Sequence, residues 1–188
     1  MFRDCTSLIT INLNHFRTDK VEDIYQMFSG CTNVEIIYLD NFNTSKITNM
    51  YNLFNGCSSL KTINVGSFDT SNVITMSGMF NQCSSLSILN LTNFNFSKAV
   101  SLDNMFNNCS SLNSVYFNPN LEYHNLNGIN YIDNMFKSCK NLKSIDFGKL
   151  NMSSDNGSNK NKKYICHYEP EIFPGLIYHM LEPEIVLL

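Results

Sequence analysis

The stretch Met76 to Leu91, "MSGMFNQCSSLSILNL", carries two hydrophobic rhythms. Met76, Met79, Phe80 and Cys83 fall at i, i+3, i+4 and i+7, the spacing of one helix face. Leu89 and Leu91 then alternate around Asn90, the period of a strand with one buried side. The residue before each such helical pattern is Asp23, Asn49, Thr75 or Ser101, all favoured N-cap types; Tyr131 replaces them in the last copy. Gly30, Gly56 and Asn108 follow closely and tolerate the left-handed conformation that stops a helix. The pattern predicts a helix of about two turns, a corner, and a short strand.

The passage recurs. "IYQMFSGCTNVEIIYL" starts at Ile24, "MYNLFNGCSSLKTINV" at Met50, "LDNMFNNCSSLNSVYF" at Leu102 and "IDNMFKSCKNLKSIDF" at Ile132, and a shortened copy, "MFRDCTSLITINL", opens the chain. The cysteines Cys5, Cys31, Cys57, Cys83 and Cys109 are spaced by 26 residues, and the last interval, to Cys139, is 30. A fixed period of this length marks a stacked repeat, in which each unit buries its apolar face only against its neighbours. Strands of successive units then pair in parallel, and the wider helical side splays so that the stack curves. Before each helical pattern a linking segment also repeats: "FRTDKVE", "FNTSKIT", "FDTSNVI" and "FNFSKAV", beginning at Phe16, Phe42, Phe68 and Phe94. Its Thr and Ser residues suit backbone hydrogen bonds at a bend, and Val21, Ile47 and Val73 point inward.

Composition narrows the function classes. Of 188 residues, 43% are hydrophobic and the formal net charge is -3. Residues 1–150 hold ten Lys/Arg against eleven Asp/Glu, and this near-neutral balance argues against a nucleic-acid partner, which needs a clustered basic face. No apolar run reaches the length of a membrane span. No secretory signal is read before the first repeat, which decides little because the chain starts in mid-unit, as a fragment or an uncapped gene product would. His15, His124, His167 and His179 share no motif with each other or with paired carboxylates, so no catalytic role is expected.

The cysteine spacing is wrong for zinc, whose ligands come in close pairs. Buried thiols behaving as small apolar groups are favoured over disulfides, because neighbouring Cα atoms at a helical edge would lie beyond disulfide reach. Met27, Met79, Met105 and Met135, with Leu53 between, read as a core column rather than a metal stripe. Neither cofactor nor metal is expected.

The unit "FDTSNVITMSGMFNQCSSLSILNL" resembles the BspA-like leucine-rich repeats of bacterial surface proteins, through the M-x-x-M-F-x-x-C-x-S-L core. The resemblance covers residues 1 to about 150. Departures are Phe96 in place of the usual threonine and the 30-residue interval. It implies a right-handed α/β leucine-rich-repeat solenoid and a role in adhesion or partner binding at a cell surface, and it supplies no catalytic residues. An intracellular scaffold of the same fold is the alternative, because unpaired thiols suit a reducing compartment.

In such a stack the outward strand positions form one row across the concave face: Asn12, Tyr38, Asn64, Asn90, Tyr116 and Asp146. Flanking rows include Thr10, Ile36, Thr62, Ile88 and Ser114. Exposed Tyr among small polar residues suits recognition of a protein or glycan ligand, since Tyr gives contact area at low entropic cost. Secondary candidates are Tyr123, His124 and Tyr131 in the insertion from Asn118 to Tyr131, and the positive charge of Lys137, Lys140, Lys143 and Lys149. Residues 151–163 read as a polar linker, and 164–188 as a tail able to cap the last unit, with Cys166 its accessible thiol.

Overall fold

The computed structural model describes residues 1–118, 120, 128–142 and 144–146. The chain winds through six coils, each centred on one cysteine of the series from Cys5 to Cys139. On one side short strands pair in parallel: β1 (Thr10–Asn12), β2 (Ile36–Tyr38), β3 (Ile88–Leu91), β4 (Ser114–Phe117) and β5 (Ser144–Asp146). Register follows the repeat: Ile11 faces Ile37, Leu89 faces Val115, and Val115 faces Ile145. The sheet is split into β1-β2 and β3-β4-β5, because the third coil's segment 61–65 forms no strand. There Ile63 is only partly buried, whereas Ile37 and Leu89 are fully so.

The predicted helices do not form: the described residues contain no helix. Each helical pattern is instead a run of overlapping turns. The N–H groups of Met27, Ser29 and Cys31 donate to the carbonyls of Ile24, Gln26 and Phe28, three residues back, at 3.0, 3.1 and 3.2 Å. The intervening N–H groups of Gln26, Phe28 and Gly30 point out of the coil. They donate to Tyr51, Leu53 and Asn55 of the next coil at 3.1, 3.0 and 2.8 Å. The same alternation recurs from Asn52 through Asn108. A helix would turn the N–H groups beyond its first turn back onto its own carbonyls, leaving them unable to bind the neighbouring coil. Spacing decides the matter: the equivalent Phe rings lie 5.0–5.8 Å apart, close to strand spacing, whereas packed helices need about 8–10 Å. The helical-side splay expected from the sequence therefore has no basis at this corner.

Apolar spacing misleads here because turns of three also bring i, i+3 and i+7 to one side. Met76, Met79, Phe80 and Cys83 are indeed all buried. The residues read as N-caps act two positions ahead. Asp23 and Asn49 accept from the N–H of Tyr25 and Tyr51 through their side-chain oxygens, at 2.7 and 2.9 Å. Thr75 does the same for Ser77 at 3.3 Å. The backbone at these positions forms a second set of parallel bridges, Asn49–Thr75–Ser101–Tyr131. In the last coil, where Tyr131 lacks the oxygen in that place, the Asp133 N–H is taken by Asp103 of the preceding coil at 2.7 Å.

One continuous core runs through the stack. Phe2, Phe28, Phe54, Phe80, Phe106 and Phe136 form a single stacked column. Ile47, Val73, Ala99 and Ile129 form a second, which carries across the 30-residue interval. Phe42, Phe68 and Phe94 form a third. The methionine column is core, with Leu53, Met79, Met105 and Met135 buried and Met27 partly so. Thr44 and Thr70 bury hydroxyls that donate to Asp69 and Asn95 of the following coil, at 2.9 and 3.0 Å. At Phe96 this polar ladder ends, and its ring sits between Phe94 and Phe117, at 6.1 and 5.8 Å. Position 120, one period of 26 after Phe94, is an exposed asparagine.

Each coil after the first turns its corner through two left-handed residues, and the first through one. One site is held by Asp4, Gly30, Gly56, Gln82, Asn108 and Ser138, the other by Gln26, Asn52, Gly78, Asn104 and Asn134. At Gly78 an added Cβ would also strike the Asn52 side chain, whereas at Gly56 the nearest atoms are 3.7 Å away. Gly56→Ala therefore carries the left-handed strain alone, about 1 kcal/mol, and Gly78→Ala carries strain plus overlap, roughly 2–3 kcal/mol. Urea unfolding of the two variants should rank them in that order; equal stability would contradict the packing described.

Candidate binding face

Strand alternation turns Ile11, Ile37, Leu89 and Val115 into the core and their neighbours outward. The predicted row is brought together as a row. Asn12, Tyr38, Asn64, Asn90 and Tyr116 are all exposed, and Asp146 stands opposite Tyr116 in the backbone register. Their roles divide. Asn12, Asn64 and Asn90 each use Oδ1 to accept the N–H two residues on, from Asn14, Gly66 and Thr92, at 3.0 Å. Asn64 also donates from Nδ2 to Asp40 at 2.9 Å. Asp40 receives the Asn14 amide at 2.8 Å as well. The asparagines thus shape the chain's exit from the strand, with one or both polar ends already engaged.

Tyr38 and Tyr116 are the row members with large exposed side chains, 40% and 43%. Beside them the flanking row exposes Ile36 and Ile88 at 40% and 52%. Next to the flanking row Lys61 Nζ meets Glu35 Oε2 at 2.8 Å. That pair was legible as opposite charges 26 residues apart, yet sequence reasoning missed it. It also missed the exposed stack of Tyr25 on Tyr51, with centroids at 5.6 Å, signalled by two aromatics at the same spacing.

The secondary candidates fare unevenly. Tyr131 is exposed at the edge of the bridge ladder. Lys137 and Lys140 are exposed. Tyr123, His124, Lys143 and Lys149 lie outside the described residues, as do the polar linker, the tail with Cys166, His167 and His179, and the end of the solenoid beyond residue 146. No group of three or more metal-ligating side chains is found among the described residues. No described helix is long and apolar enough to cross a membrane.

The cysteine column is shaped by a bond the sequence did not suggest. Sγ of Cys31, Cys57, Cys83, Cys109 and Cys139 donates to the carbonyl of Phe2, Phe28, Phe54, Phe80 and Phe106, at 2.9–3.2 Å. This bond, rather than the helical spacing invoked above, orients the thiols, and the described cysteines are free. Burial pushes the Cys57 and Cys139 thiols up to about 12 and raises those of Cys31, Cys83 and Cys109. A thiol is neutral while protonated. The unfolded chain therefore loses these protons near pH 9, and the folded chain holds them. For Cys57 and Cys139 the contribution to stability is fully present below about pH 8.5 and declines toward pH 12, by about 1.4 kcal/mol per thiol per pH unit, and the other raised thiols act in the same direction. The urea midpoint should fall steeply across that window, and less steeply in a Cys57→Ala/Cys139→Ala variant. Identical slopes would mean that the thiols ionise freely in the folded state.

The family described as "Mycoplasma protein of unknown function, DUF285" matches residues 1–116, 33–146 and 90–164. The leucine-rich repeat protein of Treponema pallidum (TpLRR), known from a crystal structure, is similar in fold with a TM-score of 0.52. It is 23% identical, over 79% of this chain and 60% of that one. At this identity the likeness concerns the fold, a leucine-rich-repeat solenoid. Two TATA-box-binding proteins share short segments. That of Acetabularia peniculus is 78% identical over 23 residues, 12% of each chain. That of Acanthamoeba castellanii is 68% identical over 25 residues, 13% of this chain and 10% of that protein. The chain thus spans about a tenth of the length of these curated relatives and 60% of the solved structure.

Proposed function

The chain belongs to the DUF285 family, and we propose that it is a non-catalytic binding module whose sheet face recognises a protein or glycan ligand. One observation carries the reading: Ile36, Tyr38, Ile88 and Tyr116 expose apolar and aromatic surface on a face of parallel strands, beside a Lys61–Glu35 ion pair and an Asp40 carboxylate held by two asparagine amides. Rigid aromatic anchors surrounded by satisfied polar groups are economical recognition elements, because little side-chain freedom is lost on contact. We place this face on the concave side of the solenoid, as the likeness to BspA-like repeats implies, and the protein at a cell surface in an adhesive role.

An intracellular scaffold is the second reading, favoured by five buried thiols that hydrogen-bond to backbone carbonyls instead of pairing. Protease treatment of intact cells separates the two: loss of the protein supports the surface reading, and protection supports the scaffold.

The binding role is tested on the purified chain against arrays of extracellular-matrix proteins and glycans. A Tyr38→Ala/Tyr116→Ala variant should lose about tenfold or more of the signal while melting within a degree or two of the parent. Unchanged binding, or no array signal from the parent, contradicts the proposal.

A further inference from the structure

One carboxylate on the sheet face is clamped from both neighbouring coils. Asp40 follows Tyr38 by two positions, so the alternation that buries Leu39 turns both side chains to the same side, about 6–7 Å apart along the chain. Both are exposed. Oδ1 of Asp40 accepts the Asn64 amide at 2.9 Å, and Oδ2 accepts the Asn14 amide at 2.8 Å. The Asp40 N–H donates to Asn14 Oδ1 at 2.9 Å, a second bond to the same side chain. Neutral amides thus fix this carboxylate in place and leave its charge uncompensated. Among the described residues Asp40 enters no ion pair. The charged residues of segments 9–14, 35–40, 61–66, 87–92 and 113–118 are Glu35, Asp40 and Lys61, and Glu35 and Lys61 pair with each other.

We propose that Tyr38 and Asp40 form a guanidinium receptor, so that the ligand of the sheet face is a protein segment presenting arginine. The inference rests on the binding role proposed for this face and names its partner. An ionised carboxylate has about four acceptor sites. The amides of Asn14 and Asn64 occupy one on each oxygen, which leaves room for the paired N–H donors of a guanidinium. The Tyr38 ring beside it, 40% exposed, offers a flat surface on which the same planar cation stacks. Ile36, two positions earlier on the strand and equally exposed, gives the methylene stem of the arginine an apolar neighbour. Because the amide clamps are in place before the ligand arrives, the carboxylate loses little freedom on contact. Lysine fits less well, since its ammonium is a point charge and brings no plane to the ring. The uncompensated charge also separates the two ligand classes. Charged glycans carry carboxylates or sulfates, which Asp40 repels, whereas a basic protein segment is attracted.

The probe is a fluorescein-labelled Gly-Ser-Arg-Gly-Ser-Arg-Gly-Ser peptide, titrated into the full chain and read by anisotropy. Saturable binding is expected, with the neutral citrulline counterpart about tenfold weaker and the lysine counterpart about threefold weaker. Asp40→Asn and Tyr38→Ala should each weaken the arginine peptide about tenfold, with circular dichroism unchanged. Glu22→Gln removes the same charge from an exposed position outside the strand segments and should leave binding unaltered. Absence of saturable binding, equal binding of the citrulline or lysine peptide, indifference to Asp40→Asn, or an equal loss in Glu22→Gln overturns the proposal. The binding role of the face is judged separately, by the Tyr38→Ala/Tyr116→Ala variant on the arrays. Array binding that is lost in that variant but unchanged in Asp40→Asn overturns the arginine receptor alone.

Discussion

The carbonyl of one phenylalanine in each coil joins that coil to the next. Phe54 O accepts the Cys57 N–H within its own coil at 3.1 Å and the Cys83 thiol of the following coil at 3.2 Å. Both lone pairs of a buried carbonyl are therefore used, one to close the turn and one to fix the neighbour. Above it the ring of the same residue stacks on Phe28 and Phe80 at 5.3 and 5.4 Å. The Phe54 N–H donates in turn to Met79 O. Three contacts from one residue thus impose a common translation on successive coils, and the remaining columns inherit it. A buried carbonyl left with an empty lone pair, or a ring facing a void, would weaken the stack locally.

This arrangement explains why the repeat period was so plain in the sequence while the corner was misread. Columns need chemically similar residues at one spacing, so Phe28, Phe54, Phe80 and Phe106 announce themselves. Most strand positions were equally legible, because Leu89 and Leu91 flank an exposed Asn90, but the strand expected at 61–65 does not form, and Ile63 there is only partly buried. The corner was different. Buried residues at i, i+3, i+4 and i+7 are compatible with a helix and with overlapping turns, and apolar pattern alone does not separate them. The discriminating signal was present in the polar positions. Asn52, Gly78, Asn104 and Asn134 occupy one left-handed site and Gly30, Gly56 and Asn108 another, only four residues apart. Two such sites within one turn are incompatible with a continuous helix.

The candidate face shows the same division between what repeats and what does not. Asn12, Asn64 and Asn90 recur because the chain must leave each strand through the same side-chain-supported turn, so their abundance is structural. Tyr38 and Tyr116 interrupt that pattern. Departures from a structural consensus at exposed positions are where a repeat protein has freedom to acquire specificity, and here they are accompanied by Ile36 and Ile88. The gap in strand pairing at 61–65 lies between the two tyrosines, where Asp40 holds the Asn64 side chain. Two small sheets, each carrying one tyrosine, therefore share a face over an unbroken corner ladder.

Coupling between neighbouring coils through the phenylalanine column is measured most directly by a double-mutant cycle on Phe54→Leu and Phe80→Leu, with Phe28→Leu and Phe106→Leu as the separated pair. Urea unfolding should return a coupling of about 0.5–1.5 kcal/mol for the adjacent rings and additivity within about 0.5 kcal/mol for the separated ones. Additive behaviour of the adjacent pair would contradict the account, since the coils would then not be held together through this column.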